Sequence, residues 1–271
     1  MKFEATVPTD ALLRERYESR LFELYHENSK LSHNAMTPHL SERPTAATNA
    51  ERYITTRGFR QYDASPRVEL PTLTASSVPL QDVLLRRRSR RELGAPIDLS
   101  ELGTLLTQSL GCTAIVQDHE SETVHALRAW PSAGGLYPLD AYLICAKVKG
   151  LLPGIYHYNP IAIRLELLTS RPVEVILADA YFNQKFAIEA ALSVCLVASF
   201  DRTVAKYGER GYRLVLLDAG HAAQNLLLTA EQLGLGAVAV AGYCDDRLAG
   251  DLGFDGVSEA VVHTVLIGKT S

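Results

Sequence analysis

Three short stretches hold residue types suited to chemistry. "KYGERGYR", residues 206–213, follows the apolar run "ALSVCLVASF" and sets Lys206 beside Tyr207, with Arg202, Arg210 and Arg213 near. One reading is a solvated helix start. The other is an amine and a phenol at the mouth of a site, placed to move protons. Free lysine titrates at about 10.4 and tyrosine at about 10, so the second reading needs burial or cationic neighbours to make either a base at neutral pH.

"RRRSRRE", residues 86–92, spaces Arg87, Ser89 and Arg91 at alternate positions. Guanidinium forks match phosphate oxygens, and a hydroxyl between them adds a donor. A basic helix end, where the dipole favours cations, gives the same pattern without a ligand. "PSAGGLYP", residues 131–138, carries almost no side chain at Ser132, Ala133, Gly134 and Gly135. Such a strip lets backbone approach a flat ligand, and it also suits a plain turn.

Other chemistries find little support. There is no GxGxxG after a first strand, no Walker loop and no GxSxG elbow, which argues against a dinucleotide fold or a serine hydrolase. His26 and His33 lie seven apart and His119 and His125 six apart, so neither forms the i, i+4 pair of a helical zinc site, and no metal is expected. His157 reads as structural and His221 as a core or interface residue. Cys112, Cys145, Cys195 and Cys244 are too scattered for a disulfide framework. A net charge of −4 over 271 residues gives no case for nucleic acid or an anionic membrane as partner. No apolar run reaches the roughly 20 residues of a membrane helix. "MKFEATVPTD" lacks a signal-peptide core, so a cytoplasmic protein is expected.

The elements that must position these residues follow from periodicity. A helix is predicted over 10–27, then an extended Pro-rich arm from His33 to Pro79, giving an N-terminal region 1–78 and a core domain 79–271. Helices are predicted from Pro79, over 100–110 and over 173–182, and residues 117–129 read as loop. "DAYLICAKV" and "ALSVCLVASF" read as strands, and "GIYHYNPIAIRLELL" as a hairpin turning at Asn159-Pro160. A long helix runs from Arg210 to Leu233, with Ala219, Gly220, Ala222 and Ala223 allowing close approach of another helix in the fold or in a dimer. "GAVAVAGY", "DDRLAGDLG" and "AVVHTVLIG" close the chain as strand, helix, strand. The class is α+β: a mixed central sheet flanked by helices, with a long central helix.

Together, "RRRSRRE", "PSAGGLYPLDAYL", "GIYHYNP", "KYGERGYRLVLLDAGHAAQNLLLTAEQLGLGAVAVAGY" and "VLIGK" resemble the SagB-type dehydrogenases of the nitroreductase-like flavoprotein superfamily. The resemblance covers about Leu80 to Lys269, and "LYHENSKL" at 24–31 is similar to the family's opening. It implies a nitroreductase-like flavoprotein fold and an FMN enzyme that oxidises peptide thiazolines or oxazolines to thiazoles or oxazoles, on a ribosomal peptide or on a substrate tethered to a nonribosomal synthetase. By position, Arg87, Ser89 and Arg91 would grip the FMN phosphate and nearby atoms. Ser132, Ala133 and Gly134 would lie against the isoalloxazine from the other subunit of a homodimer with shared sites. Ala241 and Gly242 would face its N5 side, Gln184 with Asn183 would read the pyrimidine edge, and Lys269 would be a further phosphate ligand. Lys206 and Tyr207 would be the catalytic pair. The implied partners are an azoline-bearing peptide and a cyclodehydratase or other synthetase subunit. An NAD(P)H-dependent nitroreductase or flavin reductase, and a non-catalytic scaffold of a heterocycle synthetase, are the alternatives.

Overall fold

The computed structural model describes residues 21–30, 60–72, 78–118 and 123–270. The chain divides into two compact units, 1–46 and 47–271. The described part of the first is helix α1, Leu21–Asn28, which exposes Leu21, Phe22 and Leu24. The remainder of the helix predicted over 10–27 lies outside the described residues.

The second unit is built on a seven-stranded sheet in the order β1-β8-β7-β5-β9-β11-β10. These are Arg67–Glu69 (β1), Arg164–Thr169 (β8), Gly154–Asn159 (β7), Leu139–Cys145 (β5), Leu192–Ser199 (β9), Glu259–Gly268 (β11) and Gly236–Val240 (β10). Every neighbouring pair in it is antiparallel. The parallel element of the expected mixed sheet is confined to a separate pair, Ile97–Asp98 (β2) with Val148–Lys149 (β6).

Side chains alternate across a strand, and this sheet buries both faces. Ala141, Leu143 and Cys145 of β5 pack with Leu102, Leu105 and Leu106 of α3 (Leu99–Leu110) and with Val215 and Ala219 of α7 (Arg210–Gln232). Tyr142 and Ile144 pack on the opposite face with Ile176 and Leu177 of α4 (Glu174–Ala180) and Leu248 of α8 (Asp245–Leu252). Truncating one of these fully buried leucines to alanine costs about 2–5 kcal/mol. Helix α3 starts at a capping box in which the Glu101 carboxylate accepts from the Asp98 N–H at 2.8 Å.

The predicted elements recur with shifts of a residue or two, and four differences are informative. Where loop was predicted over 117–129, Cys112–Asp118 (β3) and Thr123–Arg128 (β4) pair as a two-stranded ribbon. The register slips between Cys112 and Ala114, which blurs the alternation that signals a strand. Two short helices escaped the periodicity, α5 (Lys185–Glu189) and α6 (Asp201–Tyr207), each too brief to show a repeat. In α2 (Leu80–Arg86) the apolar stripe that the spacing of Leu80, Val83 and Leu84 suggests does not face the core, because Val83 is buried while Leu80 and Leu84 are exposed.

The fourth difference concerns the described part of the expected arm, which is tied into the sheet. β1 pairs with β8, and Tyr62 donates its N–H to the Glu166 carboxylate at 3.0 Å. Glu166 is wholly buried and also accepts from His157, Asn159 and Arg164. Burial pushes its carboxyl up, but bonds from His157, Asn159, Arg164 and the Tyr62 backbone outweigh it and hold the carboxyl down at about 2. Burial in turn lowers the His157 pKa, so a neutral ring donates from Nδ1 to an ionised Glu166. His157 is structural, as its place between two tyrosines suggested.

Candidate functional site

Lys206 and Tyr207 end α6, and Gly208, at φ 58°, turns the chain into α7. The junction is tight: a β-carbon on Gly211 would stand 2.8 Å from the Val204 Cα. Both side chains converge on the Pro-Ser-Ala-Gly strip. A β-carbon on Gly134 would stand 2.5 Å from the Tyr207 hydroxyl oxygen and 2.7 Å from Lys206 Nζ. Lys206 Nζ also lies 5.5 Å from the centre of the Tyr207 ring. Lys206 is exposed and Tyr207 half-buried in the single chain, so the burial expected around the amine needs another body to supply it.

The strip is not a plain turn. Gly134 (φ 63°), Gly135 (φ 67°) and Tyr137 (φ 44°) are all left-handed, and the Tyr137 ring meets Trp130 edge-on at 5.7 Å. A bulky residue at positive φ is uncommon and must be held there. The Ser132 hydroxyl donates to the Asp218 carboxylate of α7 and accepts from the Tyr137 N–H at 2.9 Å. That hydroxyl, predicted as a cofactor contact, is therefore engaged inside the chain. Burial raises the Asp218 pKa, and bonds from Ser132 and the Ala133 N–H oppose the rise. Sequence reasoning missed Asp218; its signal was an acid amid the apolar and small residues of a buried helix, which must find donors.

The Arg-x-Ser-x-Arg element leaves α2 and runs along the β10–β11 end of the sheet. The Arg90 N–H donates to the Ala237 carbonyl at 3.0 Å, and Arg90 pairs with Glu231 at 3.2 Å. Leu93 packs where a β-carbon on Gly268 would stand 2.0 Å from its carbonyl oxygen, so only glycine fits there. Arg87 is half-buried and Ser89 exposed, and neither side chain has a hydrogen-bond or ion-pair partner among the described residues. Arg91 lies over the Phe186 ring at 5.6 Å, which draws α5 and the preceding Gln184 towards the element. Lys147 strengthens that approach by donating to the Glu189 carbonyl at 2.9 Å and the Gly94 carbonyl at 3.4 Å. Phe182 and Asn183, just before Gln184, are both left-handed, at φ 53° and 57°. Lys269 is the candidate whose charge is least available, since Nζ lies 2.8 Å from Glu101 and 3.5 Å from Asp98. Ala241 and Gly242 are exposed after β10, and a β-carbon on Gly242 would meet nothing within 4 Å.

All the predicted residues except Ala241 and Gly242 therefore fall into two groups. Lys206, Tyr207 and the 132–134 strip gather at the N-terminal half of α7, where Asp218 holds the strip. Arg87, Ser89, Arg91, Gln184 and Lys269 gather at the other end of the sheet, where Arg90 meets Glu231. Asp218 and Glu231 are thirteen residues apart on one helix, about 20 Å along its axis. Among the described residues no cluster of His, Cys, Asp and Glu could hold a metal ion, and no helix is long and apolar enough to cross a membrane.

Comparison with known proteins bears on this geometry. Residues 84–269 match the Nitroreductase family. The chain belongs to that family. Among relatives of this nitroreductase-family chain, the Methanocaldococcus jannaschii protein MJ1384, named as a nitroreductase, is 35% identical over 182 residues, 67% of this chain and 86% of that one. The microcin B17-processing protein McbC of Escherichia coli is 30% identical over 135 residues, 47% of this chain and 49% of McbC. The chain thus spans about half the length of that second relative. The E. coli microcin synthetase McbBCD complex with truncated pro-MccB17 bound contains a similar fold, with a TM-score of 0.56 at 19% identity, covering 93% of this chain and 92% of that one. The family and the McbC likeness make this chain an oxidoreductase of McbC-like type with a nitroreductase-like fold.

Proposed function

We propose that this chain is an FMN-dependent azoline dehydrogenase, which oxidises thiazoline or oxazoline rings in a peptide to thiazoles or oxazoles. The observation that carries the reading is the convergence of the Lys206 amine and the Tyr207 hydroxyl on Gly134. Taking an azoline to an azole removes a proton from the ring carbon that was the residue's Cα and a hydride from the neighbouring methylene. FMN, when bound, supplies the two-electron oxidant that receives the hydride.

The chain's own residues supply binding, placement and a base. The Arg87 guanidinium and Ser89 hydroxyl, both without a partner among the described residues, suit the phosphate. The open backbone at Ala241 and Gly242 suits the edge of a flat ring system, and Gln184 presents an amide near Arg91. Lys206 takes the proton, and Tyr207 relays it or orients the heterocycle.

Asp218 and Glu231, which mark the two residue groups, stand about 20 Å apart along α7, so a single chain does not bring the arginine element and the Lys206–Tyr207 pair together. A homodimer in which two α7 helices pair antiparallel resolves this. The midpoint of α7 is His221, and Leu216, Leu217, Gly220 and His221 are exposed there. A two-fold axis at that point sets Glu231 of one chain beside the start of the partner's helix. Each Arg-x-Ser-x-Arg element then meets the partner's strip and Lys-Tyr pair, and the partner covers an amine that one chain leaves exposed. A synthetase subunit completes the assembly, by analogy with the McbBCD complex.

The test is to load the protein with FMN and supply a thiazoline peptide. Loss of two hydrogens from the peptide supports the reading. A competing reading, an NAD(P)H-dependent nitroreductase, is favoured by the MJ1384 likeness. Fast NAD(P)H-driven reduction of a nitroaromatic, with the azoline peptide untouched, would establish it instead.

A further inference from the structure

We infer that Asp218 is a positioning residue for the Lys206–Tyr207 pair, acting through the 132–137 loop; this rests on the reading above. Asp218 lies in the N-terminal half of α7 and is 4% exposed. A buried carboxylate is costly unless donors meet it. Both donors identified for it come from the strip, the Ser132 hydroxyl and the Ala133 N–H. The Ser132 oxygen then accepts from the Tyr137 N–H, so one carboxylate on a rigid helix closes the loop at both ends.

The loop needs this closure. Gly134 and Gly135 take a positive φ freely, but Tyr137, at φ 44°, is strained and relaxes unless its N–H is held. Its central residue, Gly134, has no side chain and lies in contact range of the Tyr207 hydroxyl and Lys206 Nζ. The loop therefore forms the floor on which the amine and phenol rest. If Asp218 lets go, the floor shifts, and a misplacement of about 1 Å at a reacting group costs about a hundredfold in rate. Asp218 makes no hydrogen bond or ion pair with Lys206 or Tyr207. Its neighbours Leu217 and His221 are exposed on the face proposed to pair with a second chain, so one turn of α7 serves the dimer and the loop together.

The experiment uses the full FMN-loaded chain as parent, Asp218→Asn and Asp218→Ala. It reads amide hydrogen exchange at Ala133 and Tyr137, flavin content, melting temperature, and kcat and KM for a thiazoline peptide. The expected result in Asp218→Ala is exchange at those two amides faster by about ten- to a hundredfold, since a charged buried partner is lost. Flavin content and KM hold while kcat falls at least about tenfold. Asp218→Asn, which keeps one acceptor, falls between. If Asp218→Ala does not fold, Ser132→Ala removes the hydroxyl that links Asp218 to the Tyr137 N–H without touching α7, and should show the same split, with exchange rising most at Tyr137. Unchanged exchange overturns the inference, as does faster exchange with kcat at the parent value, or kcat falling only in proportion to lost flavin. A parent protein that oxidises no azoline overturns the functional reading instead, while the exchange data still decide whether Asp218 holds the loop.

Discussion

Gly134→Ala separates the cost to the fold from the cost to the chemistry. The new methyl would stand 2.5 Å from the Tyr207 hydroxyl oxygen and 2.7 Å from Lys206 Nζ. Comfortable carbon contacts lie at about 3.5 Å, so each tip must retreat by nearly 1 Å. Both atoms end long side chains, and the lysine moves at little cost. The backbone penalty is modest as well: alanine at φ 63° costs about 1–2 kcal/mol. A chain of this size should then melt lower by roughly 2–8 °C, at about 2–4 °C per kcal/mol. The rate responds differently. A base displaced by about 1 Å from the proton it removes loses about a hundredfold in kcat. Thermal melts, flavin absorbance of the purified protein and steady-state azoline oxidation measure the three effects. The reasoning is refuted if the variant melts lower and retains its flavin yet turns over at the parent rate.

Three further predictions follow from the same geometry. Lys206→Ala and Tyr207→Phe should leave flavin content intact and lower kcat by about 10²–10⁴-fold for the lysine, the usual contribution of a positioned base, with a smaller loss for the phenol; stopped-flow turnover checks this. Arg87→Ala should weaken FMN binding by about ten- to a hundredfold, the worth of a charge-assisted hydrogen bond, as read by titration of the apo-protein. Glu166, held at about 2 against an ordinary 4.5, contributes stability that is complete above 4.5 and lost as the pH falls towards 2. That contribution is on the order of 3 kcal/mol at neutral pH. Glu166→Gln should therefore lower the denaturation midpoint at pH 7 and flatten its slope between pH 5 and 3.

The sequence carried the long elements because their patterns are long. The 23 residues of α7 repeat over six turns, and β9 is buried over seven of its eight residues. The ribbon at 112–128 was hidden by its bulge and by polar residues on a strand pair that joins no sheet. Helix α6 was hidden by its seven residues, although it carries Lys206 and Tyr207. The residue types of the candidate site were readable, since arginines around a serine and glycines between prolines advertise their chemistry. Two things were not readable. Asp218 acts from 86 residues beyond Ser132, and only folding brings them together. The segregation of the predicted residues to opposite ends of α7 is a fact of three-dimensional distance that no spacing along the chain records.

The most direct measurement of the central claim is anaerobic mixing of the FMN-loaded protein with a thiazoline peptide, following flavin absorbance and peptide mass together. The account predicts bleaching of one flavin for each ring oxidised, a peptide lighter by two hydrogens, and neither signal on the fast timescale in Lys206→Ala. A flavin that stays yellow with the peptide, and is bleached by NAD(P)H alone, would contradict it.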